Sequence, residues 1–274
     1  MPTKIEITCF TDLKASTALA ENLGNRAFVS ALQDHLRFGK LLAGICNGQY
    51  VKNIGDAHMV RFEFLEDALT FALRLQEYCG FRPSVFNPGS PVRVSLFQGA
   101  VEPIGDDVFG TGVNRAARLQ GHTEPSTVTL NDDLRTTLVA AFSGSSANAL
   151  CDFIGEVEFK GVVAPPKHII HQFNYLTYRK MFPQTSLGTL VVEHLRRSGV
   201  ELSNVGDLDV ACPATVIWPV VPRDLVTAIH RAQIEVIRLF AAAGWKIKVL
   251  VADCGGEDEY KSDYVNTFCE ALTR

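Results

Sequence analysis

Two aspartates near the start of the chain have the surroundings that metal ligands need. Asp12 follows an apolar run at residues 5–10, and Asp56 lies in a Gly-Asp turn between two predicted strands, 49–54 and 58–62. A carboxylate at a strand end and another in a tight hairpin could together hold divalent ions against a triphosphate. The alternative is that both are ordinary solvated turn aspartates, since turns favour this residue.

The elements around these aspartates predict an α+β fold. After a first strand at residues 4–10 the pattern predicts two helices, the 49–62 hairpin, an amphipathic helix at 64–79, and strands at 92–101, 156–160 and 168–173. Ser16 and Thr17 could cap the first of these helices. The order β-α-β-β-α-β is the split βαβ, or ferredoxin-like, arrangement.

Composition limits the classes of function. The chain has 274 residues, of which 47% are hydrophobic and 20% charged, so we expect a packed globular core. A net charge of -4 argues against a general nucleic-acid binder, and no apolar run is long enough to span a bilayer. Seven scattered cysteines fit free thiols in a reducing cytoplasm. We therefore expect a soluble cytoplasmic protein that binds neither nucleic acid nor membrane.

Three blocks of sequence, in order and regularly spaced, resemble the signature segments of the class III nucleotidyl cyclases. These blocks are residues 10–17, 51–56 and 107–118, and residues 159–161 and 165–172 are similar to the family's closing segment. The resemblance implies a ferredoxin-like cyclase domain over residues 1–176. It also implies that a nucleoside triphosphate is converted to a 3′,5′-cyclic monophosphate and pyrophosphate.

The resemblance implies a role for each side chain of the site. Asp12 and Asp56, with the backbone carbonyl of Leu13, would hold two Mg²⁺ or Mn²⁺ ions per active site. Arg118 would stabilise charge on the α-phosphoryl group in the transition state, and Asn114 would hold the ribose. The remaining phosphate contacts would come from Lys160 and from the start of the first helix, at Lys14, Ala15, Ser16 and Thr17.

The separation of Tyr50 and Asp56 bears on the assembly. Six residues of extended strand span up to roughly 20 Å, at about 3.3 Å per residue, which is too far for both side chains to reach one nucleotide comfortably. The cyclase resemblance implies a head-to-tail homodimer with shared active sites. Each site would take Asp12 and Asp56 from one protomer, and its partner would supply Tyr50, Asp107, Asn114, Arg118 and Lys160.

Tyr50 departs from the purine cyclases that the chain resembles. The resemblance places a lysine there in adenylate cyclases and a glutamate in guanylate cyclases, reading the base together with the residue at the position of Asp107. A bulky tyrosine would shrink the base pocket and is similar to the soluble bacterial pyrimidine cyclases of anti-phage defence (Pycsar). We therefore expect UTP as the substrate, and cyclic UMP as a second messenger that a separate effector senses.

Two alternatives stay open at this point. The chain could use CTP or ATP by the same mechanism, with Tyr50 filling space. It could also be a non-catalytic cyclase-homology module that senses a nucleotide or only dimerises. The presence of Asp12, Asp56, Asn114 and Arg118 together favours an enzyme.

Past Tyr175 the pattern becomes that of a small α/β segment. Residues 177–186 form a predicted linker, and residues 187–274 a partial Rossmann-like unit with a strand-helix-strand order. This unit resembles the nucleotide-binding fold of class I aminoacyl-tRNA synthetases, but only His230 of that family's His-x-Gly-His motif is present. We expect a structural or interaction role for it.

Overall fold

The computed structural model describes residues 3–80, 91–141, 147–162, 165, 167–181, 215–219 and 248–252. The chain divides into two compact units, Met1–Gln184 and Thr185–Arg274. The linker expected at residues 177–186 stays a prediction, although a helix, Tyr175–Met181, covers its first part. In that helix Tyr178 is buried, with its ring 5.2 Å from that of Phe173.

The described part of the first unit contains an eight-stranded sheet and six helices. The strands are β1 Lys4–Leu13, β2 Gln49–Ile54, β3 Ala57–Phe62, β4 Val92–Ile104, β5 Asp107–Phe109, β6 Val128–Asn131, β7 Cys151–Val157 and β8 His168–Phe173. The helices are α1 Ser16–Leu23, α2 Asn25–Ile45, α3 Leu65–Gly80, α4 Thr111–Gln120, α5 Asp132–Ala141 and α6 Tyr175–Met181. A short 3-10 turn, Ala147–Leu150, precedes β7.

The sheet has the order β2-β3-β1-β4-β6-β8-β7, and β5 pairs with β4 off this path. Strand β3 lies between β1 and β2 and is antiparallel to both, while β4 is antiparallel to β1 on its other side. This is the split βαβ arrangement, so the predicted ferredoxin-like order is confirmed. Strands β6, β8 and β7 extend the sheet beyond β4.

Alternation along β1 gives the sheet two apolar faces. Phe10 lies on the face that α4 covers, in a cluster with Met59, Ala116 and Leu119. Helices α2 and α3 pack on β3, and their apolar stripes include the fully buried Leu42. The end of β1 and the β2–β3 turn lie at the same edge of the sheet, because β1 and β3 are antiparallel with Phe10 opposite Met59.

Two local expectations were wrong. The last hairpin forms from Cys151–Val157 rather than residues 156–160, because β7 pairs with β8 through an irregularity near Gly155. Residues 158–160 leave the sheet, and Phe159 turns into the core. Neither Ser16 nor Thr17 caps α1, whose N-cap Ala15 has a left-handed backbone (φ 61°) and no side-chain cap hydrogen bond.

The second unit is described only at two strands, β9 (Thr215–Pro219) and β10 (Lys248–Ala252), which pair in parallel. Both predicted strands are thus present, while the predicted intervening helix and His230 lie outside the described residues. The loops expected at residues 81–90 and 142–146 also lie outside them. Within the described part of the chain, no helix is long and apolar enough to cross a membrane.

Candidate active site

The end of β1 and the β2–β3 turn bring Asp12 and Asp56 together. The Asp56 carboxylate accepts hydrogen bonds from its own backbone N–H, from the Leu13 N–H and from the Ser16 hydroxyl. The negative charge of Asp12 is close enough to contribute to the raised pKa of Asp56. Four predicted site residues from two separate blocks therefore lie in one place.

Asp56 has the properties of a carboxylate that binds a cation. Burial is the main cause of the raised pKa of Asp56, and the negative charge of Asp12 raises it further. The three hydrogen bonds act in the opposite direction and lower this pKa. Its Oδ2 atom is buried and has no hydrogen-bond partner. A buried carboxylate oxygen without a donor is costly unless a cation meets it. The pair thus fits a divalent ion.

The described residues hold no cluster of three or more His, Cys, Asp or Glu side chains that could bind a metal. Mg²⁺ commonly binds through one or two carboxylates and takes its other ligands from waters and substrate phosphates. Two aspartates beside the start of α1 match that pattern. The position of the Leu13 carbonyl as a further ligand stays a prediction.

Arg93 is a member of this site that the sequence did not reveal. It lies opposite Asp12 in the β1–β4 ladder, and its guanidinium bonds Asp12 Oδ2 through both Nε, at 2.9 Å, and Nη2. About a quarter of each side chain is exposed. The two residues are 81 positions apart, so only the strand register brings them together.

A second group of predicted residues surrounds a cavity of about 360 Å³. Asn114 and Arg118 lie one turn apart on the same side of α4, and Lys160 approaches from the turn after β7. The cavity is lined by Thr111, Asn114, Arg115, Arg118, Lys160, Gly161 and Val162. Arginine and lysine side chains in one cleft suit a polyphosphate.

Tyr50 and Asp107, the residues expected to read the base, have different partners, and their role in base recognition stays a prediction. Asp107 is held by Lys52, whose Nζ lies 2.5 Å from Oδ2, and not by Tyr50. The hydrogen bond from Lys52 is the main cause of the lowered pKa of Asp107, followed by the Val108 N–H. The Tyr50 hydroxyl instead lies 3.1 Å from Nδ1 of His58, and burial raises the pKa of Tyr50 to about 12.

A bulge in β2 explains why the side chains of Tyr50 and Lys52 have different partners. Tyr50 pairs with Val60 and Lys52 with Met59, so Val51 is an extra residue between them. Side chains two apart normally share a face of the strand. The bulge reverses that relationship and directs Lys52 towards Asp107.

Two buried histidines lie behind the hairpin, and the sequence did not mark them as functional. His35 Nε2 is 3.2 Å from the Asp56 carbonyl oxygen, and the His35 and His58 ring centroids are 4.5 Å apart. Both side chains are fully buried. Burial, and secondly His35, hold the pKa of His58 well below its ordinary value, so His58 is neutral.

A family model described as the adenylate and guanylate cyclase catalytic domain matches residues 3–174. The chain belongs to this family. Its first unit is a nucleotidyl cyclase catalytic domain, and the enzyme class is that of the adenylate and guanylate cyclases, which are lyases and generally depend on divalent metals. No curated protein matches the chain in sequence.

Solved cyclases share the fold of this domain. The adenylyl cyclase CyaB from P. aeruginosa has 20% identity and a TM-score of 0.53, covering 64% of this chain and 96% of its own. The guanylate cyclase domain of RhGC from Catenaria anguillulae, in complex with GTP, has 17% identity and a TM-score of 0.54. The match covers 64% of this chain and 98% of that domain. The adenylate/guanylate cyclase/hydrolase from Silicibacter pomeroyi has 22% identity and a TM-score of 0.52. The match covers 63% of this chain and 97% of that protein's chain. At these identities the likeness is one of fold.

Proposed function

We propose that this cyclase domain converts a nucleoside triphosphate to its 3′,5′-cyclic monophosphate and pyrophosphate. The observation that carries the proposal is the buried, unpartnered Oδ2 of Asp56 beside Asp12 at the start of α1. A purely structural carboxylate at this place would have a donor for each buried oxygen. A module that only dimerises has no use for this costly arrangement.

The chemistry assigns a task to each group. Asp12 and Asp56, with the Leu13 carbonyl, would hold two Mg²⁺ or Mn²⁺ ions, and these ions would lower the charge on the attacking and leaving oxygens. The ribose 3′-oxygen loses its proton to solvent and attacks the α-phosphorus, while the bond from that phosphorus to the bridging oxygen breaks and pyrophosphate leaves. Arg118 then stabilises the charge that develops on the α-phosphoryl group.

The other predicted contacts hold the substrate in place. Asn114 positions the ribose, and Lys160 binds the terminal phosphates. The start of α1, at Lys14, Ala15, Ser16 and Thr17, offers backbone N–H groups to the β- and γ-phosphates. Because the acidic pair and the Asn114–Arg118–Lys160 cavity are separate groups of one chain, we propose that a homodimer combines them across its interface.

We propose two candidate substrates, ATP and UTP, and each is favoured by a different observation. ATP is supported by the Lys52–Asp107 pair, which offers a donor to adenine N1 and an acceptor to its N6 amino group. UTP, with cyclic UMP as a messenger in anti-phage defence, is the second candidate, because the resemblance at Tyr50 is to the family's pyrimidine cyclases as a group. The same pair could donate to uracil O4 and accept from its N3–H.

The test is incubation of the purified chain with ATP, GTP, CTP and UTP, with Mn²⁺ or Mg²⁺, and mass identification of the product. Cyclic AMP or cyclic UMP supports the corresponding base. The Asp12→Ala variant should give no product but keep its circular dichroism spectrum and oligomeric state. Asp106→Ala, which removes an exposed turn aspartate, is the matched control. Product from Asp12→Ala at the wild-type rate would refute the metal-dependent mechanism.

A further inference from the structure

Three polar side chains, Tyr50, His58 and His35, lie behind the hairpin that carries Asp56. His58 contacts His35 through its ring, and its buried Nε2 has no hydrogen-bond partner. Tyr50 reaches His58 through its hydroxyl, 3.1 Å from Nδ1. The His58 ring lies 4.5 Å from that of His35, and His35 Nε2 lies 3.2 Å from the Asp56 carbonyl oxygen. Contacts through these two rings thereby link Tyr50 of β2 to the backbone of Asp56, a predicted metal ligand.

The hydrogen-bond partners of His35 and His58 show which of their atoms donate. A carbonyl oxygen can only accept, so His35 donates to it through Nε2–H. The Cys79 Sγ of α3 lies 3.9 Å from His35 Nδ1. The His58 backbone N–H donates to Thr11 Oγ1, one residue before Asp12. The segment of Asp12 is therefore bonded to His58 and the turn of Asp56 to His35, and the two histidine rings are in contact.

Packing leaves these rings little freedom. A Cβ atom at Gly39 of α2 would lie 2.3 Å from two ring atoms of His58, so the helix backbone presses directly on the imidazole. His35 and His58 are fully buried. Rings that packing holds in place can keep the turn that they contact in one position.

We propose that Tyr50, His58 and His35 form a positioning relay for the metal site, so that Tyr50 acts on the geometry of Asp56 and not on the base. The inference rests on the proposed role of Asp12 and Asp56 as metal ligands. The relay has no contact with substrate, and its three members are positioning residues. The relay determines how well the metal-free hairpin is arranged to bind a cation.

The sharpest test is Tyr50→Phe, which removes only the hydroxyl. We expect Mn²⁺ affinity, measured on the full chain by electron paramagnetic resonance without nucleotide, to weaken about threefold to tenfold, the effect of one hydrogen bond. The ratio of kcat/KM for UTP to that for ATP should stay within about twofold of wild type. A changed ratio with unchanged Mn²⁺ affinity would make Tyr50 a base contact and overturn the relay.

Two further comparisons separate positioning from general stability. His35→Phe should weaken Mn²⁺ binding, and His35→Gln should restore it, because the amide can donate to the Asp56 carbonyl in place of Nε2. Gly39→Ala should also weaken Mn²⁺ binding. Its matched control is Gly48→Ala, where the new Cβ would lie 2.4 Å from the Phe62 ring, outside the relay.

The Gly48→Ala control should lower the melting temperature without changing Mn²⁺ affinity. Equal losses of Mn²⁺ affinity in Gly39→Ala and Gly48→Ala would reduce the relay to ordinary packing and overturn the proposal. If the wild-type chain forms no cyclic nucleotide, the proposed reaction fails, while the Mn²⁺ measurements still decide the relay. The two failures are thus distinguishable.

Discussion

The ammonium group of Lys52 lies 2.5 Å from Oδ2 of Asp107, although 55 positions separate the two residues. The contact joins β2 to the first residue of β5, and each side chain is partly exposed. A donor and an acceptor are therefore presented side by side to whatever enters from solvent. This donor and acceptor pair is where we propose that the edge of the base is read.

Replacing Lys52 by Met should lower kcat/KM for the preferred nucleotide by about 10- to 100-fold, the usual effect of losing a charge-assisted hydrogen bond. Mn²⁺ affinity should not change, because Lys52 lies outside the acidic pair. The measurement is steady-state kinetics with all four nucleotides. Lys167→Met removes another partly exposed lysine, 3.6 Å from Glu156, and serves as the control. Unchanged kinetics with every nucleotide would remove Lys52 from base recognition.

Asp56→Asn should abolish cyclisation and yet stabilise the metal-free protein. The raised pKa of Asp56 means that folding favours its protonated form, so its contribution to stability is complete below the ordinary carboxyl pKa. That contribution is lost as pH rises through the raised folded-state pKa. Above this range the variant should melt about 2–4 °C higher, as roughly 1 kcal/mol predicts for a domain of this size.

The check is thermal denaturation of both proteins across the acid range and at neutral pH, with chelator present. The difference between them should grow as pH rises through the window and then level off. Addition of Mn²⁺ should stabilise the wild type and not the variant. A variant that melts below the wild type at neutral pH would show that Asp56 is a satisfied structural residue.

Arg93→Met should destabilise the metal-free domain modestly. The pair with Asp12 is about a quarter exposed on each side, so its loss costs about 0.5–1 kcal/mol. Without the guanidinium, Asp12 and Asp56 repel each other unopposed, and Mn²⁺ should raise the melting temperature more than in wild type. The exposed Arg26 provides Arg26→Met as a control. An equal Mn²⁺ response in all three proteins would contradict this account.

Mixing two inactive variants tests the shared sites of the proposed homodimer. Asp56→Asn and Arg118→Ala each remove one group from every site of their own dimers. In a fully exchanged equal mixture, about half of the dimers are mixed and carry one intact site of two, so activity should return to roughly one quarter of wild type. The readout is cyclic nucleotide formed after subunit exchange. No recovery, despite proven exchange, would mean that each chain holds a whole site.

Much of the fold could be predicted because its signals are local. The alternation of β1, the Gly-Asp turn and the apolar stripe of α3 each follow from a few neighbouring residues. The ordered blocks then predicted that Asp12 and Asp56 would meet, and the hydrogen bonds of Asp56 to Leu13 and Ser16 place them together. The start of α1 was the local exception, because the Ser16 hydroxyl binds Asp56 instead of capping the helix.

The sequence by itself determined the family, the sheet order and the acidic pair. Only the tertiary structure decided which side chains accompany them. A single extra residue at Val51 directs Lys52, and not Tyr50, to Asp107, since one inserted residue reverses the faces of a strand. Arg93 meets Asp12 through strand register across 81 positions, and His35 meets the Asp56 carbonyl through helix packing. Such contacts depend on how distant segments align, which no local pattern encodes.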